Sequence, residues 1–217
     1  MFEIMAGFTP DGAGLCDVNF AQLRPHVPNM RKLGFRDLPH WSDIHASLTV
    51  TIERRAGVRL DLAGFPVVVN QDAKSVLLYA GGLAYLMESL LQVKVGISLG
   101  GILLMSRRNP DNFYGLPTQP DKSGLQTGFH AWAILDDEGK IYVADFFHHW
   151  LGGNNKDMLG PSKYIVASVG TLDQHRIVYY PNENLTGEIG AALASAAAQQ
   201  LATESLVFLR DRINARM

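Results

Sequence analysis

Apolar positions recur at two different periods along the chain, and the switches between them divide it into elements. Residues 1–40 hold neither period: Pro10, Gly12, Gly14, Pro25, Pro28 and Pro39 punctuate an irregular segment, with room for a short helix over Asp17 to Leu23. Helical spacing begins after Ser42, a candidate N-cap, with Ile44, Leu48 and Ile52, and runs to about Arg55 before Gly57. The β-branched run Thr49-Val50-Thr51-Ile52 works against that helix. A short apolar segment from Phe65 to Val69 precedes Asn70-Gln71-Asp72, where Asn70 or Asp72 suits the cap of a second helix over Ala73 to Leu91. Its apolar residues wrap most of the way round, which predicts burial on more than one side. Gly81-Gly82 inside it cost about 1 kcal/mol each relative to alanine, so close packing against a neighbouring backbone is expected there.

The period then shortens. Lys94 to Ser106 reads as a strand, bulged at Gly100-Gly101. Residues 107–126 are polar and carry Pro110, Pro117 and Pro120, the pattern of a long loop. Gly128 to Leu135 and Lys140 to Phe146 alternate around Asp136-Asp137-Glu138-Gly139 and predict a hairpin. Tyr164 to Ser168 and Arg176 to Tyr180 add strands. From Thr186 to Met217 the chain is alanine-rich and helical, capped by Thr186 or Asn184, with Leu193, Ala197, Leu201, Leu206 and Leu209 as its stripe. These elements predict an α+β fold in one domain over 1–217: an N-terminal segment (1–64), a core (65–180) and a C-terminal helix (186–217).

Composition narrows the function classes. The 217 residues carry 19 basic and 21 acidic side chains, a balance that argues against a nucleic-acid partner. The most apolar stretch, Val76 to Met105, is interrupted by Glu88, Gln92 and Lys94 and falls short of the roughly 20 continuous apolar residues of a membrane span. The first ten residues hold Glu3 and no basic residue, so no secretory start is expected. One cysteine excludes an internal disulfide framework and a Cys-based metal site, and a reducing cytoplasm is the expected compartment. The neighbours His148 and His149 point to opposite faces of an extended chain, so no metal is expected there. No cofactor motif is present: Gly152-Gly153 lacks the strand, helix and Lys-Ser/Thr of a phosphate loop. The alanine-rich helical stripe suits either this chain or a second copy, leaving a homo-oligomer open.

The hairpin carries the chemistry. Alternation puts His130, Trp132 and Ile134 on one face of the first strand, and Ile141, Val143 and Asp145 on one face of the second. A hairpin centred on residues 137 and 138 pairs positions summing to 275, which makes His130 and Asp145 direct cross-strand neighbours. There a carboxylate accepts an imidazole N–H and fixes its tautomer, as a catalytic or as a purely structural pair. A rival pattern, Gly96-Ile97-Ser98-Leu99-Gly100, echoes a serine nucleophile elbow but lacks the helix that must follow.

The strand Gly128-Phe129-His130-Ala131-Trp132, a turn, and Val143-Ala144-Asp145-Phe146 resemble the His and Asp portions of the papain-like cysteine proteinase superfamily, nearest its transglutaminase-like and arylamine N-acetyltransferase-like branches. The order of buried helix, strand, His strand and Asp strand agrees, as does the 15-residue separation of His130 and Asp145. The resemblance spans residues 70–147. It implies a papain-like fold, acyl-transfer chemistry with His130 as general base and Asp145 as its orienter, and Gln71 where such enzymes carry an oxyanion donor. The chain departs from it at the nucleophile: near Leu77, in the first turn of the buried helix, no cysteine stands. Three readings follow: a member that has lost catalysis and binds a small molecule or peptide, a hydrolase using Ser75, or one using Cys16 from outside that helix.

Overall fold

A computed structural model describes residues 14–25, 27–62, 64–71, 73–104, 112–114, 130–146, 164–183, 186–187 and 195–216. Its strands are β1 (Gly14–Cys16), β2 (Arg59–Leu62), β3 (Phe65–Val68), β4 (Lys94–Leu104), β5 (Asn112–Tyr114), β6 (His130–Asp137), β7 (Lys140–Asp145), β8 (Tyr164–Ser168) and β9 (Ile177–Pro181). Its helices are α1 (Val27–Lys32), α2 (Trp41–Glu53), α3 (Val76–Leu90), α4 (Val169–Gln174) and α5 (Ala196–Asn214). The class is α+β.

Seven strands form one mixed sheet in the order β1-β8-β7-β6-β4-β5, with β9 also on β4; β2 and β3 form a separate hairpin. β1 and β8 run parallel and the other pairs are antiparallel. Gly100 pairs with both His130 and Pro181, so β6 and β9 lie on opposite edges of β4. β5 pairs Ile102 to Leu104, which β9 also pairs, and therefore takes the edge that β6 leaves.

Strand alternation gives the sheet two apolar faces. Ala131, Ala133 and Leu135 of β6 pack with α2, α3 and α5 in the larger core, which also takes Cys16, Tyr164 and Val166. Trp132 and Val143 face the other way, into a smaller cluster with Leu15, Ile102, Ile165 and Leu172. α3 fits its pattern: it is buried nearly all round because sheet, α2 and α5 contact it on different sides. Gly82 explains itself differently from expectation. A Cβ there would meet the side chains of Leu48 (3.0 Å) and Leu201 (3.9 Å), so the space is taken by side chains of α2 and α5 and not by a neighbouring backbone.

Other expectations need correction. The strand from Lys94 is not bulged at Gly100-Gly101; it runs unbroken through Leu104. Gly100 is required because a Cβ would overlap the Tyr180 carbonyl oxygen of β9. Asn112–Tyr114, expected in a loop, is a strand. Within the irregular N-terminal third, Gly14–Cys16 forms a strand; Gly14 lies under the Tyr164 ring, where any Cβ would overlap it. The cap of α2 is His40 rather than Ser42, and that of α5 is Ser195 rather than Thr186 or Asn184, Ser195 Oγ accepting the Ala198 N–H. His148, His149, Gly152 and Gly153 lie outside the described residues.

A buried carboxylate anchors α5. Asp43, in the first turn of α2 and inaccessible to solvent, accepts the His40 backbone N–H (3.0 Å) and the Arg212 Nε–H (3.1 Å) and also pairs with Arg216. Burial pushes its carboxyl upward, but the His40 N–H and the Arg216 and Arg212 guanidinium groups outweigh burial and hold it below its ordinary 3.8. Because the folded value is depressed, the stabilisation is present above pH 3.8 and is lost as pH falls through the lower folded value. Asp43→Ala is expected to cost about 2 kcal/mol at neutral pH, a cap plus charge-assisted hydrogen bonds. Urea unfolding of both proteins at neutral and strongly acidic pH checks this: the gap between them should narrow in acid.

The Gly100 contact gives a second expectation. Since the obstructing atom belongs to backbone, Gly100→Ala should destabilise by about 3 kcal/mol, read as a lower urea midpoint, whereas Gly96→Ala, with open space at its Cβ, should lack that steric penalty.

Candidate functional site

β6 and β7 bring the dyad together through a tight turn. Glu138 (φ 54°) and Gly139 (φ 87°) both adopt left-handed backbone, the requirement of a two-residue hairpin turn with matching twist. Asp136 Oδ1 accepts the Gly139 N–H at 2.8 Å and closes the loop. The resulting register pairs Ala133 with Ala144 and Asp137 with Lys140, a sum of 277. That corrects the expected 275: continued outward, the register sets Asp145 across from Trp132, and His130 reaches it on the diagonal. An imidazole is long enough to span the diagonal, and His130 Nε2 lies 2.7 Å from Asp145 Oδ2.

Both groups are almost wholly buried, His130 at 3% exposure and Asp145 at 1%. A carboxylate in that position must be hydrogen-bonded or give up its charge. A donor from β9 meets it: Tyr179 gives its hydroxyl proton to the same oxygen, Oδ2, at 2.8 Å. Burial and then the charge of Asp145 push the Tyr179 phenol well above its ordinary 10, so it is a donor throughout the physiological range. The Trp132 ring stacks beside His130 (6.2 Å between centroids, 21° between planes) and meets Tyr179 edge to face at 4.9 Å.

This contact reports on the shape of the sheet. β9 and β7 are separated by β4 and β6, three strand spacings or about 14 Å in a flat sheet. Tyr179 reaches Asp145 only because the sheet curls, with the smaller apolar cluster inside the curve. The phenol–carboxylate bond therefore ties together strands that are not neighbours.

The other predicted residues stand elsewhere. Ser75, buried immediately before α3, accepts the Asn70 N–H at 2.9 Å and donates to the Val68 carbonyl at 3.4 Å, so its hydroxyl fastens the connection between β3 and α3. Cys16 is 7% exposed and belongs to the core on the helix side of the sheet. Gln71 is exposed, and its amide nitrogen lies 3.6 Å from where a Cβ on Gly57 would stand. His130 and Asp145 project from the opposite face, with Trp132 and Tyr179. The structure thus joins two of the five predicted residues and leaves Ser75, Cys16 and Gln71 apart from them. Ser98 pairs with Trp132 and shares its face, but it sits in mid-strand with β4 continuing past it, and so lacks the exposure of an elbow.

Sequence reasoning missed Tyr179. Nothing in its local pattern marks it, because its role depends on the curl of a sheet whose strand order is not written in any short segment. Among the described residues no group of three or more His, Cys, Asp or Glu side chains is placed to hold a metal ion, and no helix is long and apolar enough to cross a membrane. The chain matches no protein-family model, no curated protein and no solved structure.

Two tyrosines should report the burial of this region and of α3. Tyr79 is pushed up to about 12, chiefly by burial and then by Glu53, and Tyr179 is raised well above its ordinary 10, chiefly by burial and then by Asp145. With folded values raised, their stabilisation is complete below pH 10 and fades as pH rises toward the folded values. An alkaline absorbance titration of the native protein should leave both phenols protonated near pH 11, roughly a unit above the ordinary tyrosine value. Tyr179→Phe should remove one phenol from the class that ionises only on unfolding; an unchanged late class contradicts its burial.

Proposed function

We propose that the protein is a binding protein with a papain-like order of elements, in which His130 and Asp145 hold a polar anchor and acyl-transfer chemistry has been lost. The likeness rests on the succession α3, β4, β6, β7 and on the 2.7 Å contact between His130 and Asp145. It ends at the nucleophile. The observation that carries the reading is the division of the sheet: His130 and Asp145 lie on one face, and Cys16 and the helix that follows Ser75 lie on the other. Acyl transfer needs the nucleophile within hydrogen-bond reach of its base, about 2.6–3.2 Å and somewhat looser without ligand. An imidazole whose Nε2 is held by a carboxylate offers its second nitrogen to a ligand, and a small molecule or peptide is the class that one such polar point beside aromatic rings suits. The single cysteine of the chain supports a reducing, cytoplasmic setting.

Reactive probes test this reading. A fluorophosphonate and an iodoacetamide are incubated with the folded wild type and with His130→Ala, and adducts are mapped by mass spectrometry. The expected result is no adduct at Ser75, Ser98 or Cys16 whose rate depends on His130. A rate at any of them that drops at least 100-fold in His130→Ala, on the scale of general-base assistance, contradicts the loss of catalysis and restores the hydrolase reading.

A further inference from the structure

The contacts of Asp145 Oδ2 decide more than the position of the dyad. That oxygen lies within hydrogen-bond distance of both the Tyr179 hydroxyl (2.8 Å) and His130 Nε2 (2.7 Å). Two contacts on one oxygen are met best by a carboxylate, which accepts both the phenol O–H and an imidazole N–H in charge-assisted hydrogen bonds. The proton in the His–Asp contact then belongs to Nε2, and in the neutral ring Nδ1 is left as an acceptor. The alternative holds one proton more: Asp145 is protonated and donates to Nε2, and the neutral ring carries its own proton on Nδ1. The Tyr179 O–H disfavours that arrangement, because it bonds a carboxylate more strongly than a carboxylic acid.

The surroundings leave Nδ1 available for this use. The Trp132 indole stacks beside the imidazole, and Asp145 holds the other nitrogen. Among the described residues Nδ1 has no hydrogen-bond partner, and the His130 side chain retains 4% exposure. Among the described residues, Tyr179 is a titratable group that meets the His130–Asp145 pair, and it comes from β9.

We propose that Tyr179 is a positioning residue that fixes His130 in its Nε2–H tautomer, so that Nδ1 presents a hydrogen-bond acceptor to a ligand carrying a donor, a hydroxyl, amide N–H or ammonium group. The assignment deepens the binding reading above and rests on it for the ligand; the tautomer itself does not depend on that reading. A ligand whose contacting group is only an acceptor, such as a carboxylate, is disfavoured at this nitrogen.

The test is a long-range proton–nitrogen NMR correlation of the imidazole rings in uniformly ¹⁵N-labelled protein at about pH 8.5, where ordinary imidazoles are neutral. His130→Ala assigns the His130 signals among the seven histidines of the chain. The expected wild-type pattern has a pyrrole-type Nε2 and a pyridine-type Nδ1. In Tyr179→Phe, with the backbone amide spectrum otherwise preserved, the ratio of Nδ1–H to Nε2–H ring should rise about tenfold, the equivalent of about 1.4 kcal/mol. A wild-type ring protonated at Nδ1 overturns the proposal by itself, whether or not the variant folds. So does an unchanged ratio in a folded Tyr179→Phe. A His130-dependent adduct in the probe experiment would overturn the binding reading while leaving the tautomer assignment standing, so the two failures are distinguishable.

Discussion

Alternation along β6 governs what this molecule can do. Successive residues of a strand face opposite sides, and from position 130 onward those sides are two different interiors. Ala131, Ala133 and Leu135 complete the helix-covered core, while His130 and Trp132 face the inside of the curled sheet. A shift of one residue in the pairing of β6 with β4 would exchange the two sets, burying an imidazole among the helices and removing small alanines from where α3 must approach. The register is accordingly held from both ends, by the tight turn at Glu138-Gly139 and by the ladder with β4 that closes at Gly100 and His130. Everything about the dyad follows from which side that register assigns it.

The inside of the curve is polar at one place, and that place is costly. A carboxylate nearly cut off from water is tolerated because donors meet it from β6 and from β9. Tyr179 does two things with one hydroxyl: it satisfies the carboxylate and it ties β9 across β4 and β6 to β7. The opposite side of the molecule uses the same device with full charges, where Asp43 beneath α2 gathers Arg212 and Arg216 and docks the last helix. Buried carboxylates thus fasten the fold on both sides of the sheet, one through a neutral phenol and an imidazole, the other through guanidinium groups.

Much of this was legible in the residues. The helix-wide apolar coverage of residues 76–90, the hairpin around Glu138-Gly139 and the shared face of His130 and Trp132 come from local spacing, and α3, β6 and β7 follow it. The His130–Asp145 contact was also readable, although by a diagonal and not by a direct pair, because the turn sits one residue later than the charged cluster suggests. Three features were beyond local reading. β1 is three residues whose strand character comes from pairing with β8, about 150 positions away. Gly100 looked like a bulge because a glycine in a strand also marks close approach of another backbone, and only the path of β9 tells the two apart. The separation of Ser75 and Cys16 from the dyad needs the layer order of the whole domain, which no motif encodes.

His130 and Asp145 face away from the helix-covered side of the sheet, where Cys16 and the helix that follows Ser75 lie. A crystal structure of the wild-type protein tests this placement most directly, through the distances from His130 Nδ1 to Ser75 Oγ and to Cys16 Sγ. The expected structure has His130 Nε2 on Asp145, Tyr179 on the same carboxylate, and both Ser75 and Cys16 out of hydrogen-bond reach across the sheet. Either nucleophile found within about 4 Å of Nδ1, the looser contact of an unliganded catalytic pair, would contradict it.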